Sequence, residues 1–264
     1  MKLIFSLLIL AGLLFFITQN VRGQQRYTTF DLKAPQLQTT KKIWVYLPKA
    51  YAEQTQSYPV IYMHDAQNLF DAATSYAGEW NVDETLDSLK LNVIVIGIEH
   101  GNEKRLEELT PYKHEKHGGG HADAYLDFIV NTLKPYVDKT YRTQTNAAHT
   151  TIFGSSLGGL VSYYAILKHP EIFGKAGIFS PSFWYTDDIY TLTEKTTAIN
   201  AKLYFLCGDS ESEDMVTDFT RMTALVEKRI TKKSNLKQVI VKGGKHNEKL
   251  WRENFGEAVQ WMLE

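Results

Sequence analysis

The feature that most constrains this chain is a repeated alternation of short apolar runs with longer amphipathic stretches. Runs at 43–47, 60–63, 93–98, 150–153, 175–179, 203–206 and 238–241 have strand length, and several are apolar at consecutive positions. A strand that is apolar on both faces must be covered on both, as in a parallel sheet between helix layers. Stretches 83–89, 122–133, 157–168, 215–230 and 249–263 supply such helices; Met215, Phe219, Met222, Val226 and Ile230, for instance, recur at helical spacing. The alternation predicts an α/β fold with a mainly parallel central sheet and helices on both faces. Such sheets place ligands in the loops at the carboxyl ends of their strands, so chemistry is to be sought there.

One of those loops carries a motif. Thr151-Ile152-Phe153 runs into Gly154-Ser155-Ser156-Leu157-Gly158-Gly159, and a helical pattern follows. This is G-x-S-x-G in its strand-turn-helix setting. The spacing has a physical reason. The central serine sits on a tight turn, and glycines two positions to either side remove side chains that would collide where strand and helix approach. The motif assigns Ser156 rather than the adjacent Ser155 as nucleophile, its Oγ lifted above the sheet. A Gly-Ser turn without chemistry is the plainer alternative. No Gly-rich phosphate loop ending in Lys-Ser/Thr is present.

A serine hydroxyl needs a histidine to take its proton and a carboxylate to orient that histidine. In α/β-hydrolase order these follow as Ser, acid, His. After Ser156 the chain offers His169 and His246. His169 precedes Pro170 at a helix end and reads as a C-terminal cap residue. His246 follows the 238–241 strand through Lys242-Gly243-Gly244-Lys245, so it is the expected base. The acid should come from Gly208-Asp209-Ser210-Glu211-Ser212-Glu213-Asp214, where spacing from Gly208 favours Glu211, with Asp209 and Asp214 as alternatives. An acidic loop entering a helix also suits the helix dipole without any catalysis.

For the oxyanion hole, one N–H is expected from Leu157 and a second from Ala66 or Gln67, in the loop after the 60–63 strand. His117-Gly118-Gly119-Gly120-His121 superficially matches a lipase H-G-G-G signature but follows no strand. It reads as a flexible loop at the pocket mouth, with His117 as a substrate contact. A zinc site at His114, His117 and His121 is a weaker reading, because their order imposes no closed ligand set. Phe183-Trp184-Tyr185 also falls on the active-site edge, where Trp184 could stack on a sugar or aryl group or simply plug the loop. Trp251 opens the last helix and is expected to pack. Glu99, Glu107 and Glu108 with Arg105 read as a solvated charge cluster.

Five runs together resemble one family. Tyr62-Met63-His64-Asp65-Ala66-Gln67-Asn68-Leu69-Phe70-Asp71, Arg105-Leu106-Glu107-Glu108-Leu109-Thr110-Pro111, the stretch 154–159, Phe179-Ser180-Pro181-Ser182-Phe183-Trp184 and Gly244-Lys245-His246 resemble the esterase family of α/β-hydrolases that includes esterase D, feruloyl and acetyl-xylan esterases and enterobactin-type siderophore esterases. The resemblance covers nearly all of the chain after residue 23. It implies the α/β-hydrolase fold, Ser156 as nucleophile, His246 as base and Glu211 as third member. Two departures stand out: Ala66 where the family usually has Gly, and Glu211 where Asp is common. Some siderophore esterases of this type manage with Ser and His alone.

Composition narrows partners and compartment. The 264 residues carry 29 Lys and Arg against 30 Asp and Glu, too balanced for nucleic acid as a main partner. At 44% hydrophobic the chain can build a core, and a mean hydropathy of −0.28 argues against a polytopic membrane protein. Residues 1–23 hold Lys2, a nearly unbroken apolar run and a polar end closing on Val21-Arg22-Gly23, the pattern of a cleaved signal peptide. Its apolar run is shorter than the roughly 20 residues of a membrane span. The mature chain is then expected near Gln24, with 27 basic and 30 acidic residues and a formal charge of −3, in a periplasm or outside the cell. Cys207, the one cysteine, ends an apolar run and reads as core, so no intramolecular disulfide can form. No linker or repeat divides 24–264, which predicts a single domain.

These readings converge on an exported serine ester hydrolase acting on acyl esters of carbohydrates or aryl acids, without metal or organic cofactor. A siderophore lactone esterase is the alternative enzyme. A catalytically inactive binding protein of the same fold is the alternative of another class.

Overall fold

The computed structural model describes residues 26–264; the expected signal segment lies outside them. Among the described residues, eight strands form one sheet in the order β1-β2-β4-β3-β5-β6-β7-β8. Their ranges are β1 Tyr27–Ala34, β2 Thr39–Tyr46, β3 Val60–His64, β4 Ile94–Ile98, β5 Thr150–Ser155, β6 Lys175–Phe179, β7 Lys202–Gly208 and β8 Leu236–Val241. From β4 to β8 all pairings are parallel, while β1 and β2 run antiparallel at one edge.

The helices are α1 Val82–Ser88, α2 Arg105–Leu109, α3 Ala122–Phe128, α4 Lys134–Thr140, α5 Leu157–Lys168, α6 Asp188–Lys195, α7 Met215–Glu227 and α8 Glu248–Leu263. They divide between the two faces of the sheet. Ile43, Ile96, Ile152, Ile178 and Phe205 pack with α3, α5, α6 and α7, whereas Trp44, Val95, Phe153, Phe179 and Leu206 pack with α1 and α8. This double cover is why β3, β4 and β5 are buried at every position.

Two departures from the sequence pattern have local causes. Strand β1 was not expected, because Tyr-Thr-Thr-Phe-Asp-Leu-Lys-Ala has no apolar run; as an edge strand its outer residues stay wet. The helix expected over 122–133 continues past Leu133 into α4 through a wide π-turn at Ile129–Leu133. Pro135 lies just beyond that turn, and its ring and missing N–H disfavour regular i→i−4 bonding there.

The six parallel strands point their carboxyl ends the same way. Asp65, Ser156, Ser180, Glu211 and His246 all follow such ends within five residues. Residues from Asp65 to His246 therefore meet over one edge of the sheet.

Candidate active site

Ser156 joins β5 to α5 with φ 59° and ψ −122°, a conformation that L residues adopt only when their surroundings impose it. The surroundings do. Its N–H donates to the Phe179 carbonyl at 2.9 Å, and its own carbonyl accepts from Ser182 N–H at 3.1 Å. The turn is too tight for side chains: a Cβ on Gly154 would stand 2.8 Å from the Gly158 backbone, and one on Gly159 2.7 Å from the Phe179 carbonyl oxygen. Ser155 is buried at the end of the strand, whereas Ser156 is only partly buried, with Oγ 3.3 Å from Ser182 Oγ.

The expected acid and base come together through a second close approach. At the ends of β7 and β8, Gly208 and Gly244 touch; a Cβ on Gly208 would lie 2.2 Å from the Gly244 carbonyl oxygen. Ser210 N–H donates to that carbonyl at 3.0 Å, locking the two loops. Glu211 Oε2 then accepts from His246 Nδ1 at 2.6 Å. The Glu211 side chain is fully buried, while that of His246 is 36% exposed.

The other Glu211 oxygen is held too. Oε1 accepts from Gly208 N–H at 2.5 Å and from Ser180 Oγ at 2.7 Å. Ser180 Oγ in turn accepts from Trp251 Nε1 at 2.8 Å. An indole nitrogen can only donate, so the hydroxyl proton of Ser180 is left for Glu211. Trp251 is buried as expected, and its ring meets His246 edge-on at 5.2 Å between centroids. Asp209 is occupied elsewhere: its Oδ1 accepts from Gly243 N–H at 2.7 Å and Ser210 Oγ at 2.9 Å. Asp214 is exposed just ahead of α7.

Ser156, Leu157, Glu211 and His246 line one cleft of about 450 Å³, together with Arg105, Leu106, Ser182, Trp184, Tyr185, Ser212 and Met215. Leu157 is the first residue of α5, where backbone N–H groups lack intrahelical partners. The turn bearing Ala66 and Gln67 packs against that helix start; a Cβ on Gly158 would lie 3.5 Å from Asp65 Oδ2. Ala66 is fully buried, and the Gln67 amide is tied to the His100 backbone at 3.2 and 3.3 Å.

At Arg105 and Glu108 the charge cluster expected to be solvated is not. Arg105 is no solvated charge: its guanidinium grips Asp65 at 2.7 and 2.9 Å. Burial would raise the Asp65 pKa, but the charge and hydrogen bonds of Arg105 outweigh it, and the carboxyl titrates below its usual range. Glu108 is likewise buried, paired with Lys41 of β2 at 2.6 Å. The His117 loop is hydrogen-bonded within itself and to its neighbour: His114 and Gly118 exchange backbone hydrogen bonds, and Tyr185 Oη donates to the Gly118 carbonyl at 2.6 Å. His117 reaches the cleft only through Trp184, ring against ring at 5.9 Å, and His121 faces Glu107.

The remaining titratable groups fall into place. His64 is buried between Tyr125 Oη at 2.8 Å and Ser162 Oγ at 3.1 Å, and burial lowers its pKa to about 4, so it is a neutral structural histidine. Burial raises the Cys207 thiol to about 12, which makes it inert. Ser180, Ser182 and the Asp65–Arg105 pair were missed as site residues. The motifs around them were visible in the sequence, but their partners lie in other loops.

Comparisons with known proteins agree with this architecture. A family model described as "Putative esterase" matches residues 34–262. YbbA of Bacillus subtilis, described as uncharacterized, is 28% identical over 237 residues, covering 84% of this chain and 92% of its own. A siderophore triacetylfusarinine C esterase of Aspergillus fumigatus is 31% identical over 134 residues, 48% of this chain and 45% of its own. The crystal structure of the BES protein from Bacillus cereus superimposes with a TM-score of 0.71 at 18% identity, covering 90% of this chain and 95% of that one. The chain therefore belongs to the Putative esterase family and is a carboxylic-ester hydrolase built on an α/β-hydrolase fold.

Proposed function

We propose that the protein is a serine esterase working through an acyl-enzyme on Ser156, with His246 as base and Glu211 as the acid that orients it. The observation that carries this reading is the 2.6 Å contact between Glu211 and His246 on the cleft that Ser156 also lines. Ser156 Oγ attacks the ester carbonyl as His246 takes its proton. Glu211, buried and held by three donors, fixes the imidazole with Nδ1–H toward itself and compensates its developing charge. The backbone N–H of Leu157 and that of Ala66 or Gln67 stabilise the oxyanion. His246 returns the proton to the leaving alcohol, and water then releases the acid.

The substrates are acyl esters of carbohydrates or aryl acids. Trp184, 54% exposed on the cleft wall, is a platform on which a flat ring stacks. The partial likeness to a siderophore esterase supports the second reading, a lactone of iron-chelating type. An ester panel separates the two. Feruloyl or acetyl-sugar esters turned over at least tenfold more efficiently than a catecholate trilactone support the first reading; the reverse ratio supports the second. Export follows from residues 1–23, and amino-terminal sequencing of the extracytoplasmic protein should begin at Gln24. A chain retaining Met1 in the cytoplasm contradicts export.

A further inference from the structure

On the α8 side of the sheet, away from the cleft, three carboxylates converge that the esterase chemistry does not use. Glu79 precedes α1, and Asp83 and Glu84 lie in its first turn; one oxygen from each falls within 4.8 Å of the others. The backbone forces the approach. Trp80 N–H donates to the Asn68 carbonyl at 2.8 Å and Val82 N–H to the Leu69 carbonyl at 3.0 Å, while Trp80 and Val82 themselves are buried.

A second observation points to a missing partner. Asp83 is only 4% exposed, and among the described residues no N–H or hydroxyl donates to its buried Oδ1. A buried carboxylate oxygen left bare costs about 1–3 kcal/mol or more, and native folds rarely leave one so. Of the basic groups on this side, Arg252 Nη1 donates to the Glu79 backbone carbonyl at 2.5 Å, and Arg26 Nη2 pairs with Asp87 at 3.2 Å.

We propose that Glu79, Asp83 and Glu84 form a binding site for a hard divalent cation of the calcium type. The donor set is all carboxylate oxygen, without His or Cys, which suits Ca²⁺ and disfavours zinc or copper. Glu84 is exposed, so water can complete the coordination shell, and calcium accepts such irregular geometry better than magnesium does. The cation clamps the segment carrying Trp80, whose ring stands 5.7 Å from Trp251, the residue that holds Ser180 against Glu211.

The test is thermal unfolding and titration calorimetry of the EDTA-treated protein with CaCl₂, MgCl₂ and MnCl₂ at pH 7.5. Millimolar Ca²⁺ should raise Tm by several degrees and bind with a stoichiometry near one. Both responses should disappear in Glu84→Gln, an exposed substitution that leaves the fold intact, and in Asp83→Asn. No binding heat with an unchanged Tm overturns the proposal, as does an equal shift in wild type and Glu84→Gln. A cation-free Asp83→Asn protein more stable than a wild type that ignores cations would show that a shared proton occupies the cluster instead.

Discussion

At the scale of single residues, one carboxylate of the acidic loop reaches His246. Spacing from Gly208 singled out Glu211, and the reason is mechanical: three residues beyond a strand end, a chain can fold back to reach the adjacent loop. Glu211 does so and is buried, whereas Asp209, one residue after the strand, is bent outward onto Gly243 N–H. Glu211→Gln should lower kcat by about three to four decades on p-nitrophenyl butyrate, because the amide no longer fixes the required tautomer. Asp209→Asn should stay within about tenfold of wild type. Comparable rates for all three proteins would leave His246 acting without an acid. What sequence could not show was the second layer. Ser180 and Trp251 are 71 positions apart, and only the fold tells that an indole N–H sets the direction of a hydroxyl.

At the scale of elements, the strands were legible wherever both faces are covered, since burial then writes itself as an apolar run. Edge strand β1 and the short α6 lack that signature: β1 alternates wet and dry, and its pairing partner β2 supplies the order. The helix-strand joints carry a different signal, glycine at backbone contact. Gly208 and Gly244 bring the Glu211 loop and the His246 loop together, with no room for a Cβ. Gly208→Ala should cost about 1–3 kcal/mol of strain, seen as a Tm lower by roughly 3–10 °C for a domain of this size. Activity should fall further than at a control site of equal Tm loss, because the strain separates Glu211 from His246. A variant with unchanged Tm would mean the loops can part freely.

At the scale of the whole molecule, the balance of buried charges sets how the fold responds to pH. The unfolded chain protonates a histidine near 6.5, but buried His64 stays neutral down to about 4. The unfolded state thus binds more protons across that window, and stability falls as pH drops from 6.5 to 4, by up to about 3 kcal/mol from this group. Asp65, lowered despite its burial by Arg105, adds stability that is present at neutral pH and is lost in the same direction as acid protonates it. Urea unfolding at pH 7 and pH 4.5 should show the loss, and His64→Gln should flatten it; an equally steep decline in the variant would place its cause elsewhere. The layered architecture was readable because alternation and order are global patterns, while these buried pairs arise only when loops from different strands converge. Initial rates of p-nitrophenyl butyrate hydrolysis by wild type and by Ser156→Ala, with matching circular dichroism, test most directly whether Ser156 is the nucleophile. A loss of at least about three decades is expected, and equal rates would rule Ser156 out.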